Sequence, residues 1–257
     1  MTYVNFDWYD SGFLNSIYRI TKHCPESRAS VQSIVHPLRT SYEFTPQWIS
    51  IFDDTTQRRI RDRVLELGKH SESAFWGEYE SFGRWVVHDD ALFTAIQHGI
   101  AKYVSYAVGE DVVPSYNFLS MYGENGTMEA HVDHPEAKYT VNHIVDTNTE
   151  WPLYVGNVMR RWPGRSGITA RTTFTTYTHS IKNRKTTLLF SGSAQWHYRD
   201  RIPMAKNDTP PFSSLIFFHF VPRSSQNVTN ETRLENIFCP MSDYRNAHSQ
   251  TRCGGHS

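Results

Sequence analysis

The stretch Glu129-Ala-His131-Val-Asp133-His134 decides the reading of this 257-residue chain. In an extended strand, residues two apart project to the same face. His131 and Asp133 therefore point together, with Val132 and His134 on the opposite side. A neutral imidazole beside a carboxylate on a rigid element makes up two of the three protein ligands of a facial iron(II) site, which needs one further histidine from elsewhere in the chain. By itself His-x-Asp is a common triplet, so the surrounding pattern has to carry it.

Outward from this stretch the pattern is one of short β-runs. Ser115–Tyr122, Met128–Asp133, Tyr139–Val145, Leu153–Val158, Arg171–Tyr177, Thr186–Phe190, Gln195–Tyr198 and Ser213–Val221 all read as strands, punctuated by Gly, Pro, Asn and Asp. Before Pro114 the chain reads as helical. Asp53–Leu67 carries Ile60, Val64 and Leu67 at helical spacing, with Gly68 as a stop. Asp89–Val108 carries Leu92, Ile96, Ile100 and Val104 and ends at Gly109. The expectation is a mainly β fold with flanking helices, a jelly roll. Its parts are a helical N-terminal region over 1–113, a barrel over 114–222 and a polar tail over 223–257.

Four histidines compete for the third ligand position. His219 lies in the apolar run Leu215-Ile-Phe-Phe-His-Phe-Val221 and reads as a satisfied core histidine. His143 is only ten residues from Asp133, on the adjoining strand. His179 sits in a polar, basic segment. His197 follows an apolar strand and a small-residue turn, Leu188-Leu-Phe-Ser-Gly-Ser-Ala-Gln-Trp, which delivers a histidine to a barrel rim; it is the preferred ligand.

Composition narrows the function. Hydrophobic residues make up 39% and the formal net charge is zero, as expected of a globular chain with no global field for nucleic acid or a membrane. No run of about 18 apolar residues suggests a transmembrane helix. The aromatic, acidic start lacks the features of a signal peptide, and Cys24, Cys239 and Cys253 form neither a zinc pattern nor a disulfide framework. A cytoplasmic setting is expected, and the Asn-x-Thr triplets at Asn125, Asn207, Asn227 and Asn230 are read as chance.

The zero net charge hides an asymmetry. Between Glu150 and Lys206 ten Lys and Arg face only Glu150 and Asp200. The bland reading is a solvated basic insert; the functional one is a collar for an anionic group. Trp76, Trp85, Trp151 and Trp162 read mostly as packing.

Taken together, Tyr122-Gly, Gly126, His131-Val-Asp133, Leu188-Leu-Phe-Ser-Gly, His197 and the apolar closing strand resemble the 2-oxoglutarate and iron(II)-dependent oxygenases, in particular the prolyl-hydroxylase-like and phytanoyl-hydroxylase-like groups. The resemblance covers about residues 114–222. It implies a double-stranded β-helix of the cupin-like kind, with iron(II) held by His131, Asp133 and His197, and with 2-oxoglutarate and oxygen as cosubstrates. It also implies hydroxylation, or a related oxidation, of a C–H bond, with release of succinate and carbon dioxide. Related halogenases lack the carboxylate ligand, so Asp133 favours oxygenation. Tyr122 matches the family's tyrosine that contacts 2-oxoglutarate.

One departure is plain. The family's basic residue at the start of the last strand is missing here, where Lys206-Asn-Asp-Thr-Pro-Pro-Phe-Ser-Ser214 stands instead. Arg199, two residues after His197 and so on its face, is the preferred grip for the far carboxylate of 2-oxoglutarate; Arg201 and Lys206 read as rim charges. The expected substrate is a small molecule such as an amino acid or a natural-product intermediate, with an anionic group if the collar reading holds. Two other readings stand beside it. One is a non-catalytic β-barrel binding protein. The other is a nucleic-acid demethylase of the same chemistry, which Arg199 and Arg201 fit poorly because they lie too close together.

Overall fold

The structure, a computed structural model, describes residues 36–69, 76–158, 172–179, 186–206 and 209–226. The expected tail beyond 226, most of the basic segment 160–185, Trp162 and all three cysteines lie outside these residues.

Eleven strands form two antiparallel sheets among the described residues. The larger has the order β1-β9-β6-β11-β4-β3-β2 and the smaller β5-β10-β7-β8. The strands are β1 (Gln47–Ile49), β2 (Trp76–Glu78), β3 (Arg84–His88), β4 (Val112–Tyr122), β5 (Met128–His131), β6 (Tyr139–Thr147), β7 (Leu153–Val158), β8 (Phe174–Tyr177), β9 (Thr187–Phe190), β10 (Gln195–Arg199) and β11 (Ser213–Pro222). The helices are α1 (Asp54–Lys69), the single turn α2 (Tyr79–Phe82) and α3 (Ala91–Val108). The fold is a double-stranded β-helix.

Alternation along β11 shows how the sequence builds its layers. Ile216, Phe218 and Phe220 face the helices and join a core with Ile60 and Val64 of α1 and Phe93, Ile100 and Val104 of α3. Leu215 and Phe217 face the other way and pack with Tyr122, Ile144 and Trp151 inside the barrel. Met128, Leu153 and Val155 of the small sheet meet Leu188 and Phe190 of the large one. Full burial of each such side chain contributes roughly 1.5–3 kcal/mol.

Two helix boundaries refine the reading of the sequence. Asp90 caps α3 by accepting from the Leu92 and Phe93 N–H groups, and Gly109 closes the helix in the left-handed conformation. Gly68 does not stop α1, which continues to Lys69. A Cβ at position 68 would sit 3.5 Å from Met121 Cε, an ordinary contact.

The largest departure lies before residue 114, where β1, β2 and β3 add three strands to the large sheet. These strands are only three to five residues long. Too few alternating positions exist in such runs for periodicity to reveal them. Gly83 leads into β3 with φ 62°, and a Cβ there would meet the backbone of Asn125 and Gly126 within 2.6 Å. Only glycine lets the turn leading to β5 cross at this point.

Candidate metal centre

His131 ends β5 and His197 lies in β10, and their Cα atoms are direct partners across the antiparallel pair. The register of β10 shifts on both sides of His197, against β5 and against β7. Irregularities of this kind re-aim side chains and recur beside active sites. The two imidazole rings lie 4.3 Å apart.

Asp133 differs from the expectation in one respect. Strand β5 ends at His131, so Asp133 is not a strand residue. Its backbone N–H donates to the Gly192 carbonyl at 2.9 Å, which holds the segment against the turn before β10. The carboxylate still meets both histidines: Oδ1 is 3.4 Å from His131 Nε2 and 3.6 Å from His197 Nε2. One donor atom from each of the three residues falls within 4.8 Å of the others, a cluster able to hold a metal ion.

The tautomers follow from the outer hydrogen bonds. His131 Nδ1 contacts the Glu129 carbonyl at 2.7 Å and His197 Nδ1 the Gln195 carbonyl at 2.9 Å. A carbonyl only accepts, so each Nδ1 carries the proton. In the neutral rings both Nε2 lone pairs then face the cluster. In the metal-free protein, burial raises the Asp133 carboxyl, but the charges and hydrogen bonds of His197 and His131 outweigh it and hold the group well below the usual carboxylate range. Burial opposes the His131 imidazolium, and Asp133 more than offsets this, so the His131 pKa rises.

Two of the three rival histidines lie elsewhere. His143 faces the helices and packs on Phe52 with ring centroids 4.7 Å apart. His179 packs edge-on against Trp48 at 4.5 Å. His219 lies in the interior, stacked on Tyr116 at 4.0 Å, with Nε2 3.9 Å from Asp133 Oδ2. It is both a core histidine and a wall of the site, and its pKa falls to about 4 through burial. The apolar run around it hid this second role.

Arg199 and Tyr122 converge on Trp151. The Arg199 guanidinium lies 4.9 Å above the Trp151 ring, and Tyr122 meets the same ring edge-on at 4.8 Å. Arg199 is 1% exposed. It donates to the Trp151 carbonyl and, at 3.4 Å, to Asn142 Oδ1, and its Nε is unpartnered. No carboxylate pairs with it among the described residues, and burial lowers its pKa to about 10. A buried cation without an anion is costly. The Tyr122 hydroxyl accepts from Arg84 Nη1 at 2.9 Å and retains its own proton to donate. Arg84 has no signal in the sequence, because the five-residue β3 is too short to show its alternation. Arg201 and Lys206 are exposed, as rim charges are.

No protein-family model matches the sequence, and no curated protein matches it. Solved structures do match. The non-heme alpha ketoglutarate dependent epimerase SnoN from nogalamycin biosynthesis superposes with a TM-score of 0.50 at 13% identity, over 74% of this chain and 83% of that one. SnoN in complex with Fe3+, alpha ketoglutarate and nogalamycin RO gives 0.50 at 12% identity, over 74% and 84%. A Pseudomonas putida prolyl-4-hydroxylase matches at a TM-score of 0.45 and 10% identity, over 74% and 98%. Among the described residues no helix is long and apolar enough to cross a membrane. The chain has the double-stranded β-helix fold of the alpha ketoglutarate dependent epimerase SnoN.

Proposed function

We propose that the protein is a non-haem iron(II) oxygenase that uses 2-oxoglutarate and oxygen to hydroxylate, or otherwise oxidise, a C–H bond of a small molecule. The convergence of His131, Asp133 and His197 inside this fold carries the reading. Two neutral imidazoles and one carboxylate suit iron(II) and leave coordination positions open. Iron(II) with 2-oxoglutarate and oxygen supplies the oxidising power and yields succinate and carbon dioxide.

The chain's own residues bind, orient and exclude water. His131, Asp133 and His197 would hold the metal. Arg199, buried without a counter-anion among the described residues, would take the far carboxylate of 2-oxoglutarate, since a guanidinium can bond both its oxygens. Tyr122 would donate its remaining proton to the same end of the cosubstrate. Trp151, whose ring lies under the Arg199 guanidinium, would keep that end dry. Phe118 and Phe217, stacked at 4.8 Å, add apolar interior wall.

The substrate is read as a small molecule, an amino acid or a natural-product intermediate, with an anionic group as one candidate feature. The SnoN complex with nogalamycin RO supports a small molecule in general. The basic segment that motivates an anionic substrate lies mostly outside the described residues. The protein is further read as cytoplasmic.

The test is turnover. Purified protein with iron(II), oxygen and 2-oxoglutarate should form succinate faster when the right member of an amino-acid and natural-product panel is added. His131→Ala should abolish this. Succinate formation equal in wild type and His131→Ala, across the panel and without added substrate, would count against the reading.

A further inference from the structure

The Asp133 carboxylate is held asymmetrically. Its Oδ1 faces both histidine Nε2 atoms. Its Oδ2 turns away, toward the inner face of β6, where Thr140 Oγ1 lies 3.4 Å from it. Thr140 is fully buried. Among the described residues its hydroxyl has no other hydrogen-bond partner. A buried hydroxyl donates where an acceptor is available, and a carboxylate oxygen only accepts while ionised.

Gly192 makes room for this pair. A Cβ at 192 would overlap Asp133 Oδ2 and stand 2.5 Å from Thr140 Oγ1. The Gly192 carbonyl meanwhile fixes the Asp133 backbone. Main chain, hydroxyl and the space left by the missing side chain thus act on one carboxylate.

We propose that Thr140 is a positioning residue of the metal centre: its hydroxyl, in the slot left by Gly192, holds Asp133 Oδ2 off the metal so that Oδ1 alone binds. This rests on the iron reading given above. It has a chemical consequence. A carboxylate that swung to bind through both oxygens would occupy one of the open positions that a chelating cosubstrate and oxygen must share. Outer-sphere hydrogen bonds to ligands typically tune metal affinity by about 10- to 100-fold.

Thr140→Ser and Thr140→Ala differ only in the hydroxyl and separate this role from packing. Anaerobic iron(II) titration of the full chain is followed with and without 2-oxoglutarate, and thermal melts of the metal-free proteins report the fold. Expected is an iron(II) dissociation constant about 10- to 100-fold weaker in Thr140→Ala, with an altered visible band of the iron and 2-oxoglutarate complex. Thr140→Ser should restore both toward wild type. Thr140→Val, which keeps the shape and loses the hydroxyl, should follow Thr140→Ala. If Ser and Ala bind iron with the same affinity and the same band, the positioning role is wrong while the iron reading stands. Wild type that binds no iron overturns both.

Discussion

His131 and His197 are Cα partners across the β5–β10 pair, and their Nδ1 atoms both donate to the backbone carbonyl two residues earlier, at Glu129 and Gln195. The same local device therefore aims both Nε2 atoms at Asp133. The two positions differ in burial: the His131 side chain is 41% exposed, that of His197 3%.

That difference separates metal loss from fold loss. His131→Ala should lose metal binding with little change in melting temperature. His197→Ala should lose it as well and also lower the metal-free melting temperature, because truncation leaves a buried cavity. Equilibrium dialysis with cobalt(II) as a stand-in, paired with thermal melts, measures both. Retention of wild-type affinity in either variant would remove that residue from the ligand set.

Arg199 makes a sharper prediction, because buried charge and function pull in opposite directions. Arg199→Met should leave the metal-free protein as stable as wild type or more so, since a buried cation with no carboxylate partner among the described residues is exchanged for a flexible apolar chain. The same change should weaken 2-oxoglutarate binding to the metal-loaded protein by on the order of 2 kcal/mol or more, about 30-fold. Calorimetry on the two proteins decides it. Unchanged 2-oxoglutarate affinity would mean that Arg199 is a packing residue and that the carboxylate is held elsewhere.

Gly192→Ala should disturb the Asp133 carboxylate directly, because the new methyl group occupies the space of Oδ2. Reduced cobalt(II) affinity together with a lower melting temperature is expected. Wild-type values for both would show that the turn relaxes freely, and the slot would lose its significance.

Acid stability has a traceable source away from the metal centre. His143 is buried against Phe52, with its pKa lowered by burial from 6.5 to about 4. A depressed histidine is neutral when folded and protonated when unfolded between these values. Its contribution is therefore fully present above pH 6.5 and is lost as pH falls toward 4. The shift amounts to on the order of 3 kcal/mol. His143→Leu should flatten the fall in melting temperature between pH 6.5 and 4. An unaltered slope would assign the acid sensitivity to other groups.

Much of this site could be read from one sequence because its pieces are short-range. Leu153–Val158 is found where alternation and turn residues place it, and β11 runs one residue past its expected end. His197 stands apart from His143 by what precedes it, an apolar strand and a small-residue turn, whereas His143 follows Asp133 by only ten residues on the adjoining strand. Other parts depend on contacts that no local pattern encodes. Thr140 and Gly192 are 52 residues apart, and the β6–β9 ladder, where Thr140 faces Phe190, brings them together beside Asp133. Arg84 reaches Tyr122 from a five-residue strand too short to announce itself. The second role of His219 needed the fold, because its flanking residues are uniformly apolar. Asp133 was placed correctly beside His131 by strand spacing, although the ladder ends at His131 and the Gly192 carbonyl takes over.

The central claim is an iron centre that also binds 2-oxoglutarate. Anaerobic addition of iron(II) and then 2-oxoglutarate to the purified chain tests it most directly, by the weak visible charge-transfer band of the chelate. The band should appear and saturate with the wild-type protein, and it should be absent in His131→Ala and Asp133→Ala. A wild-type protein that gives no band and no measurable iron(II) affinity would contradict the account and leave a β-barrel of another purpose.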